Sequence, residues 1–352
     1  MRISRLLAFV FTVFLFFPLL CLGKTQKPLD IYFIDVEGGQ ATLIISPSGQ
    51  SLLIDTGWPG FEGRDADRIA AAAKIAGISQ IEFVVITHYH NDHVGGVPQL
   101  ADKIKVGTFV DHGPNREDSD DTRKLYAAYG DVAAKAKHRV VKPGDHIPVK
   151  GIDVTVLTAD GEHIASPLKG AGQPNPLCAG EPEAPVDTTE NARSLGTLIT
   201  YGKFRFIDLG DLTKRKEKYL VCPNNLIGTV DLYLTTHHGL DQSNAKVIVD
   251  ALHPRVAIMN NGAHKGGKAE AWKTVHDSPG LQDLWQVHYA EDAGKDSNVP
   301  EDFIANLNRT EGAYIKVSAQ SDGSFTVWNS RNQYSKTYKP GDQSATQSAA
   351  KK

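Results

Sequence analysis

The stretch THYHNDHVGG at residues 87 to 96 places three histidines and one aspartate within six residues. The apolar run Phe83 to Ile86 directly precedes it and predicts a buried strand, so the cluster lies at the carboxyl end of that strand. Side chains alternate along an extended segment, so His88 and His90 are expected to point the same way. The turn that follows brings the aspartate and the third histidine to an adjacent point.

This spacing predicts two metal pockets side by side. Neutral imidazole nitrogens with a carboxylate and no thiolate favour zinc, and manganese and iron are the chemical alternatives. Histidines that cluster by chance are the competing explanation, which the short H-x-H-x-D-H spacing disfavours. We therefore expect two divalent ions, preferentially Zn²⁺ with Mn²⁺ as the alternative.

The amino-terminal segment predicts export. Arg2 and Arg5 precede an apolar run from Leu6 to Leu22, and the small Gly23 marks a cleavage point, so residues 1 to 23 are expected to form a signal peptide. An uncleaved anchor is the alternative, because the run is nearly as long as a membrane span. The expected location is secreted or periplasmic, without stable membrane insertion once the signal is removed.

The charge balance bears on the expected binding partners, and the cysteine content bears on the expected cellular compartment. The chain has 38 basic and 41 acidic residues, and loss of Arg2 and Arg5 with the signal leaves 36 basic ones, so a strong nucleic-acid-binding surface is not indicated. Cys178 and Cys222 remain as an even pair, which predicts a disulfide in an oxidising compartment; two unrelated thiols are the alternative. The oligomeric state is left open.

One domain is expected over residues 28 to 339, followed by a disordered tail at 340 to 352. Helices are predicted at 64–76, 120–137, 244–252 and 270–276. Strands are predicted at 30–36, 41–45, 52–55, 83–86, 106–110, 152–157, 194–201, 204–209, 231–235, 256–259, 314–317 and 325–328. Residues 160 to 191 lack periodicity and contain five prolines. We interpret this insertion as an active-site cover, with an inert surface loop as the alternative.

Four separated motifs resemble those of the metallo-β-lactamase superfamily. Asp55 ends a strand as in its first motif, and the histidine cluster matches its second. Asp211 in Gly-Asp-Leu-Thr matches its bridging carboxylate, and His237-His238-Gly239 matches its last motif. The resemblance implies an α/β fold, an αββα sandwich of two mixed β-sheets flanked by helices, with the metals at one edge.

The same resemblance assigns roles to single residues. His88 and His90 would hold one metal, Asp92 and His93 the other, and Asp211 would touch both. Asp55 would orient the metal loop instead of binding metal.

The last motif contains two neighbouring histidines at a strand end. Alternation predicts that only one of them reaches the metals, and the motif favours His238 as the ligand. His237 would then contact the substrate or support the ligands, and we count it with Asp92 and Asn191 as a candidate catalytic residue.

One departure from the superfamily pattern concerns the first metal. Many members have a histidine about twenty residues before the bridging aspartate, whereas this chain has Glu190 to Leu195 there. This feature and the stretch Asp35 to Ala41 look most like the hydrolase domain of competence DNA-uptake proteins and the related choline-phosphate esterases. The first metal is therefore expected to have fewer protein ligands, and Asn191 would donate to a substrate oxygen or cap the turn.

The function expected from these features is an exported binuclear metal-dependent hydrolase. A metal-bound hydroxide would attack the phosphodiester or related ester bond. The substrate would be a phosphodiester or another small molecule. A lactone or β-lactam hydrolase is the alternative within this class, and a non-catalytic metal-binding protein is the alternative from another class.

Overall fold

The computed structural model describes residues 27 to 341. The predicted signal peptide and residues 342 to 352 of the predicted tail lie outside the described residues. Within residues 27 to 341, no helix is long and apolar enough to cross a membrane.

Two mixed β-sheets form the inner layers of the molecule. The first has the strand order β17-β16-β15-β1-β2-β3-β4-β5-β6. Its strands are β1 (Leu29–Phe33), β2 (Thr42–Ile45), β3 (Ser51–Ile54), β4 (Gln80–Val85), β5 (Lys105–Asp111), β6 (Lys137–Val140), β15 (Ile315–Ala319), β16 (Phe325–Asn329) and β17 (Ser335–Tyr338). The second has the order β14-β13-β12-β11-β10-β9-β7-β8. Its strands are β7 (Asp153–Ala159), β8 (Glu162–His163), β9 (Gly196–Tyr201), β10 (Phe204–Asp208), β11 (Leu232–Leu234), β12 (Val256–Met259), β13 (Asp283–His288) and β14 (Ile304–Asn306).

Helices cover the outer face of each sheet. The first sheet carries α1 (Arg64–Ile75), α2 (Asn91–Val94), α3 (Val97–Ala101) and α4 (Asp120–Ala133), and the second carries α5 (Lys214–Val221), α6 (Lys246–Leu252) and α7 (Ala269–His276). Residue alternation divides each strand between two cores. On β1, Ile31 and Phe33 pack between the sheets, while Tyr32 packs under the helices. The predicted αββα sandwich is confirmed.

Several element bounds differ from the sequence predictions. The helix expected to reach Lys137 ends at Ala133, and Lys137–Val140 forms the edge strand β6 instead. Strands β13, β14 and β17 were not predicted. Polar residues interrupt β13, β14 has only three residues, and β17 is an edge strand, so none shows a clear apolar period.

The insertion at residues 160 to 191 is not structureless. It contains β8 and two short 3₁₀ turns, Pro176–Gly180 and Glu190–Arg193. The predicted disulfide between Cys178 and Cys222 is confirmed, and it joins the insertion to the residue that follows α5. Since α5 begins three residues after Asp211, the disulfide links the insertion to the segment that carries the metal motif.

Removal of this disulfide should cost stability. The two cysteines are 44 residues apart, so the Cys178→Ser/Cys222→Ser protein should lose up to about 4 kcal/mol of unfolding free energy through the entropy of the reopened loop. Denaturant unfolding of the variant, the oxidised wild type and the reduced wild type measures this loss. The variant and the reduced wild type should agree, and equal stability of all three proteins would contradict the prediction.

Candidate metal centre

The motif residues lie at the carboxyl ends of parallel strands. In the first sheet β3 and β4 are parallel neighbours, and Asp55 and the histidine cluster directly follow them. In the second sheet β10 and β11 are parallel neighbours, and Asp211 and the His-His-Gly motif follow these. Because carboxyl ends of parallel strands share one sheet edge, both sheets deliver their polar residues to one cleft.

His88 and His90 turn one nitrogen each toward a common point. His88 Nε2 lies 3.1 Å from His90 Nδ1 and 3.8 Å from Asp211 Oδ2. Their other nitrogens have partners: His88 Nδ1 lies 3.0 Å from Thr87 Oγ1, and His90 Nε2 lies 3.0 Å from Glu117 Oε2. Such outer contacts fix the orientation of imidazole ligands.

A second group consists of four buried side chains whose possible ligand atoms all lie within 4.8 Å of one another: Asp92, His93, Asp211 and His238. His93 Nε2 is central, at 3.2 Å from Asp92 Oδ2, from Asp211 Oδ2 and from His238 Nε2. The two groups share Asp211, so its carboxylate lies between them as the superfamily resemblance implies.

Asp55 lies behind the cluster and faces away from the shared point. Its Oδ2 lies 2.7 Å from His93 Nδ1 and accepts a hydrogen bond from Thr87 Oγ1, while Oδ1 accepts one from the Thr87 amide. The side chain is fully buried, and its backbone has a left-handed φ of 61°. These contacts fit the orienting role that the resemblance implies for Asp55.

Both histidines of the His-His pair face the carboxylates of the cluster, so strand alternation does not turn them to opposite sides as expected. His238 Nε2 lies 3.1 Å from Asp92 Oδ2, and His237 Nε2 lies 3.2 Å from Asp211 Oδ2. Strand β11 ends at Leu234, and both histidines have left-handed φ values, 55° and 56°. Side-chain alternation holds only for extended backbone, so it does not apply to this turn.

Burial and the neighbouring charges set the protonation of the cluster. Burial lowers the pKa of His88 well below its ordinary value, and the adjacent imidazoles lower it further. Burial also lowers the pKa of His237 to about 4. Both side chains are therefore neutral at pH 7, the form that binds metal. Burial alone would raise the pKa of Asp211, but the histidine pair holds it well below its ordinary value.

The arrangement of these possible ligand atoms fits two divalent ions. Two imidazole nitrogens face each other at 3.1 Å between His88 and His90, and another two face each other at 3.2 Å between His93 and His238. Only a single proton can lie between the two nitrogens of each pair. A cation accepts the lone pairs of both nitrogens, and the nearby carboxylates offset its charge. One group of possible ligands is His88, His90, Asp211 and His237, and the other is Asp92, His93, His238 and Asp211.

Asn191, a candidate catalytic residue, lies outside the two ligand groups. Its Oδ1 is buried without a hydrogen-bond partner among residues 27 to 341. The residue lines a cavity of about 520 Å³ between insertion residues 184–189 and residues 213–215. A second cavity, of about 590 Å³, is lined by His90 and by residues of α4. The insertion therefore forms one wall of a cavity whose other wall begins two residues after Asp211, and its role as an active-site cover stays a prediction.

A larger cavity lies elsewhere. It measures about 860 Å³, and its lining, which includes Lys169, Lys203 and Arg205, contains no residue of the two ligand groups. Size alone therefore does not locate the reactive site in this molecule.

Two functional residues were missed in the sequence. Glu117 contacts His90, and the ammonium of Lys265 forms an ion pair with Asp92 Oδ2. Both belong to loops that follow parallel strands, β5 and β12, so the shared sheet edge was the signal that could have found them.

A further trio, Asp35, Glu37 and His288, also has ligand-type atoms within 4.8 Å of one another. Here cationic side chains are already in place: Arg68 Nη1 lies 2.8 Å from Asp35 Oδ2, and Arg309 Nε lies 3.3 Å from Glu37 Oε2. The trio is therefore a buried ion-pair network, and we assign it no metal.

Comparison with known proteins identifies the domain. The family profile described as "Metallo-beta-lactamase superfamily" matches residues 34–172, which include Asp55 and the whole histidine cluster. The chain contains a metallo-β-lactamase superfamily domain. The later motif residues, Asp211 and the His-His pair, complete the same site from the second sheet.

Relatives of this metallo-β-lactamase domain differ in how much of their own length it covers. ComE operon protein 3 of Bacillus subtilis is 26% identical over 265 residues, which is 71% of this chain and 30% of that protein. The UPF0173 protein of Pyrococcus abyssi is 28% identical over 67% of this chain and 86% of its own length. A UPF0173 metal-dependent hydrolase of Cupriavidus necator is 22% identical over 68% and 77%. The predicted similarity to competence proteins is confirmed, although the chain spans less than a third of ComE operon protein 3.

Proposed function

We propose that this protein is an exported metal-dependent hydrolase that uses two divalent ions, preferably Zn²⁺, to cleave phosphodiesters or related esters. The observation that carries the proposal is the convergence of imidazole groups from both sheets on Asp211, whose carboxylate lies within 3.3 Å of His93, His237 and His238. The relative named a metal-dependent hydrolase supports the reaction class. The phosphodiester preference follows from the resemblance of the sequence motifs to the hydrolase domain of competence DNA-uptake proteins.

When bound, two adjacent divalent ions supply Lewis acidity and a water of lowered pKa. Asp211 would hold both ions through its carboxylate. Asp55 and Glu117 would keep the imidazoles of His93 and His90 in their ligand orientation.

His237 fits the role of a metal ligand better than that of a general base. Its Nε2 faces the same Asp211 oxygen as His88 Nε2 does, at 3.2 and 3.8 Å respectively. It would therefore supply the third imidazole of the first ion, in place of the histidine that many superfamily members carry before the bridging aspartate. The shortage of ligands expected from the Glu190 to Leu195 segment would then not arise.

The serines near the cluster have supporting contacts. Ser243 Oγ donates to the Leu212 carbonyl at 2.8 Å, and Ser194 Oγ accepts from the Asp211 amide at 3.1 Å. These bonds fix the loop that carries Asp211, so attack by a serine nucleophile is not part of the proposal.

The disulfide supports the exported location, because such bonds persist in oxidising compartments.

An activity panel tests the proposal. The mature protein, loaded with Zn²⁺ or Mn²⁺, is assayed on bis(4-nitrophenyl) phosphate, single-stranded DNA, a lactone and a chromogenic β-lactam. We expect phosphodiester turnover that disappears with a chelator and returns with metal. Turnover restricted to the lactone or β-lactam would replace the substrate class, and full metal loading without turnover of any substrate would favour a non-catalytic protein.

A further inference from the structure

Lys265 approaches the metal centre from its solvent side. Its ammonium contacts Asp92 Oδ2, the oxygen that also faces His93 and His238 at 3.2 and 3.1 Å. The Lys265 side chain is 28% exposed, whereas that of Asp92 is 4% exposed. The lysine therefore lies at the mouth of the site, where an incoming ligand can reach its N–H groups.

Close backbone packing fixes the position of this lysine. The Lys265 carbonyl accepts a hydrogen bond of 2.8 Å from the Gly262 amide. Gly38 has a left-handed φ of 83°, and a Cβ at that position would lie 2.8 Å from Lys265 Cβ. Gly38 belongs to the Asp35 to Ala41 stretch, so this part of the competence-like motif gives the lysine loop room to approach the metals.

Trp58 forms a second wall of the same mouth. Lys265 Nζ lies 4.8 Å from the centre of the Trp58 indole ring, an arrangement in which the ring holds the ammonium by cation–π attraction. The buried Trp58 Nε1 has no hydrogen-bond partner among the described residues. Trp58 Nε1 and Asp92 lie on the same side of Gly39. A Cβ atom placed on Gly39 would be 3.0 Å from Trp58 Nε1 and 3.1 Å from Asp92 Cβ. An indole N–H without a partner is a donor available to an acceptor ligand.

A divalent ion on Asp92 would offset the charge of this carboxylate and leave the ammonium of Lys265 for another anion. An ammonium with three donors beside an unpaired indole N–H matches a non-bridging phosphoryl oxygen, which is anionic. A neutral ester or lactone offers no such charge.

We propose that Lys265 is the specificity-determining residue of the site, and that with Trp58 it binds the anionic oxygen of a phosphodiester substrate. The inference rests on the proposed hydrolase function, because it assigns the substrate class of that same site.

The experiment compares Lys265→Met and Lys265→Arg with the wild type. In Lys265→Met, kcat/KM for the anionic bis(4-nitrophenyl) phosphate should fall about 10- to 100-fold more than kcat/KM for the neutral 4-nitrophenyl acetate, mainly through KM. Lys265→Arg keeps the charge and should recover most of the loss. Lys273→Met serves as the matched control, because Lys273 is 74% exposed and forms its ion pair with Asp277, just after the end of α7.

Two measurements without turnover separate a binding role from a structural one. Metal per chain should be the same in Lys265→Met and the wild type, and the affinity of the zinc-loaded protein for inorganic phosphate should fall about 10-fold or more. Equal losses on both esters, loss of metal, or wild-type phosphate affinity would overturn the assignment of Lys265. If the wild type cleaves neither ester, the proposed preference for phosphodiesters and related esters fails by itself, and phosphate binding still decides the role of the lysine.

Discussion

Asp211→Asn should abolish hydrolysis and release metal while the protein stays folded. The substituted carboxylate faces imidazoles of both ligand groups, so the change weakens both ions at once. Loss of an outer partner of a metal ligand typically costs about 10- to 100-fold, and loss of a shared ligand should exceed about 100-fold in kcat. The metal-free protein should lose some stability, because Asn removes the buried charge that the neighbouring histidines stabilise.

The measurement combines kcat, metal per chain and thermal unfolding of the metal-free protein. Asp277→Asn is the matched control, since this aspartate is 49% exposed and directly follows α7. Retention of near wild-type turnover in a folded, metal-analysed Asp211→Asn protein would show that the shared carboxylate has been assigned wrongly.

Asp55→Asn should have the second largest effect, although Asp55 touches no expected metal position. Its carboxylate accepts from Thr87 twice and lies 2.7 Å from His93 Nδ1, all in a fully buried environment. In the variant, the N–H groups of the Asn side chain would face at least one of these hydrogen-bond donors, so that donor would lose its acceptor. This loss should lower the free energy of unfolding by about 1 to 3 kcal/mol. Metal affinity should fall about 10- to 100-fold, because His93 loses the partner that orients it.

Asp67→Asn is the control for this second variant, since Asp67 pairs with Lys103 on the surface of α1 and is 62% exposed. Zinc titration and denaturant unfolding give the two quantities separately. A destabilised variant with wild-type zinc affinity would restrict Asp55 to a structural role.

The sequence was informative where the spacing of chemical groups is local. The H-x-H-x-D-H motif fixes four side chains within one strand end and one turn, and the structure brings all four to the cluster. The αββα fold was implied by resemblance, and Asp211 was assigned in the same way. The disulfide was predicted from cysteine number and compartment alone.

The remaining site residues depend on backbone geometry and loop packing. His237 faces the cluster because the backbone turns left-handed after β11, which strand alternation cannot foresee. Lys265 lies 173 residues from Asp92 along the chain, and Glu117 lies 25 residues from it. Neither of their loops carries a metal motif. Their positions result from the packing of separate strand ends, including the close approach of Gly38 to the lysine loop.

The most direct test of the two-ion site is the amount of metal per chain. The wild type, His237→Ala, His238→Ala and the control His146→Ala are loaded with Zn²⁺, passed through gel filtration and analysed for metal and protein. His146 is 60% exposed and distant from the ligand groups, so its variant should match the wild type. We expect two ions per chain in these two proteins and about one in each of the other variants, because each histidine serves a different ion. A wild type with one ion or none, or retention of two ions by both His237→Ala and His238→Ala, would contradict the account.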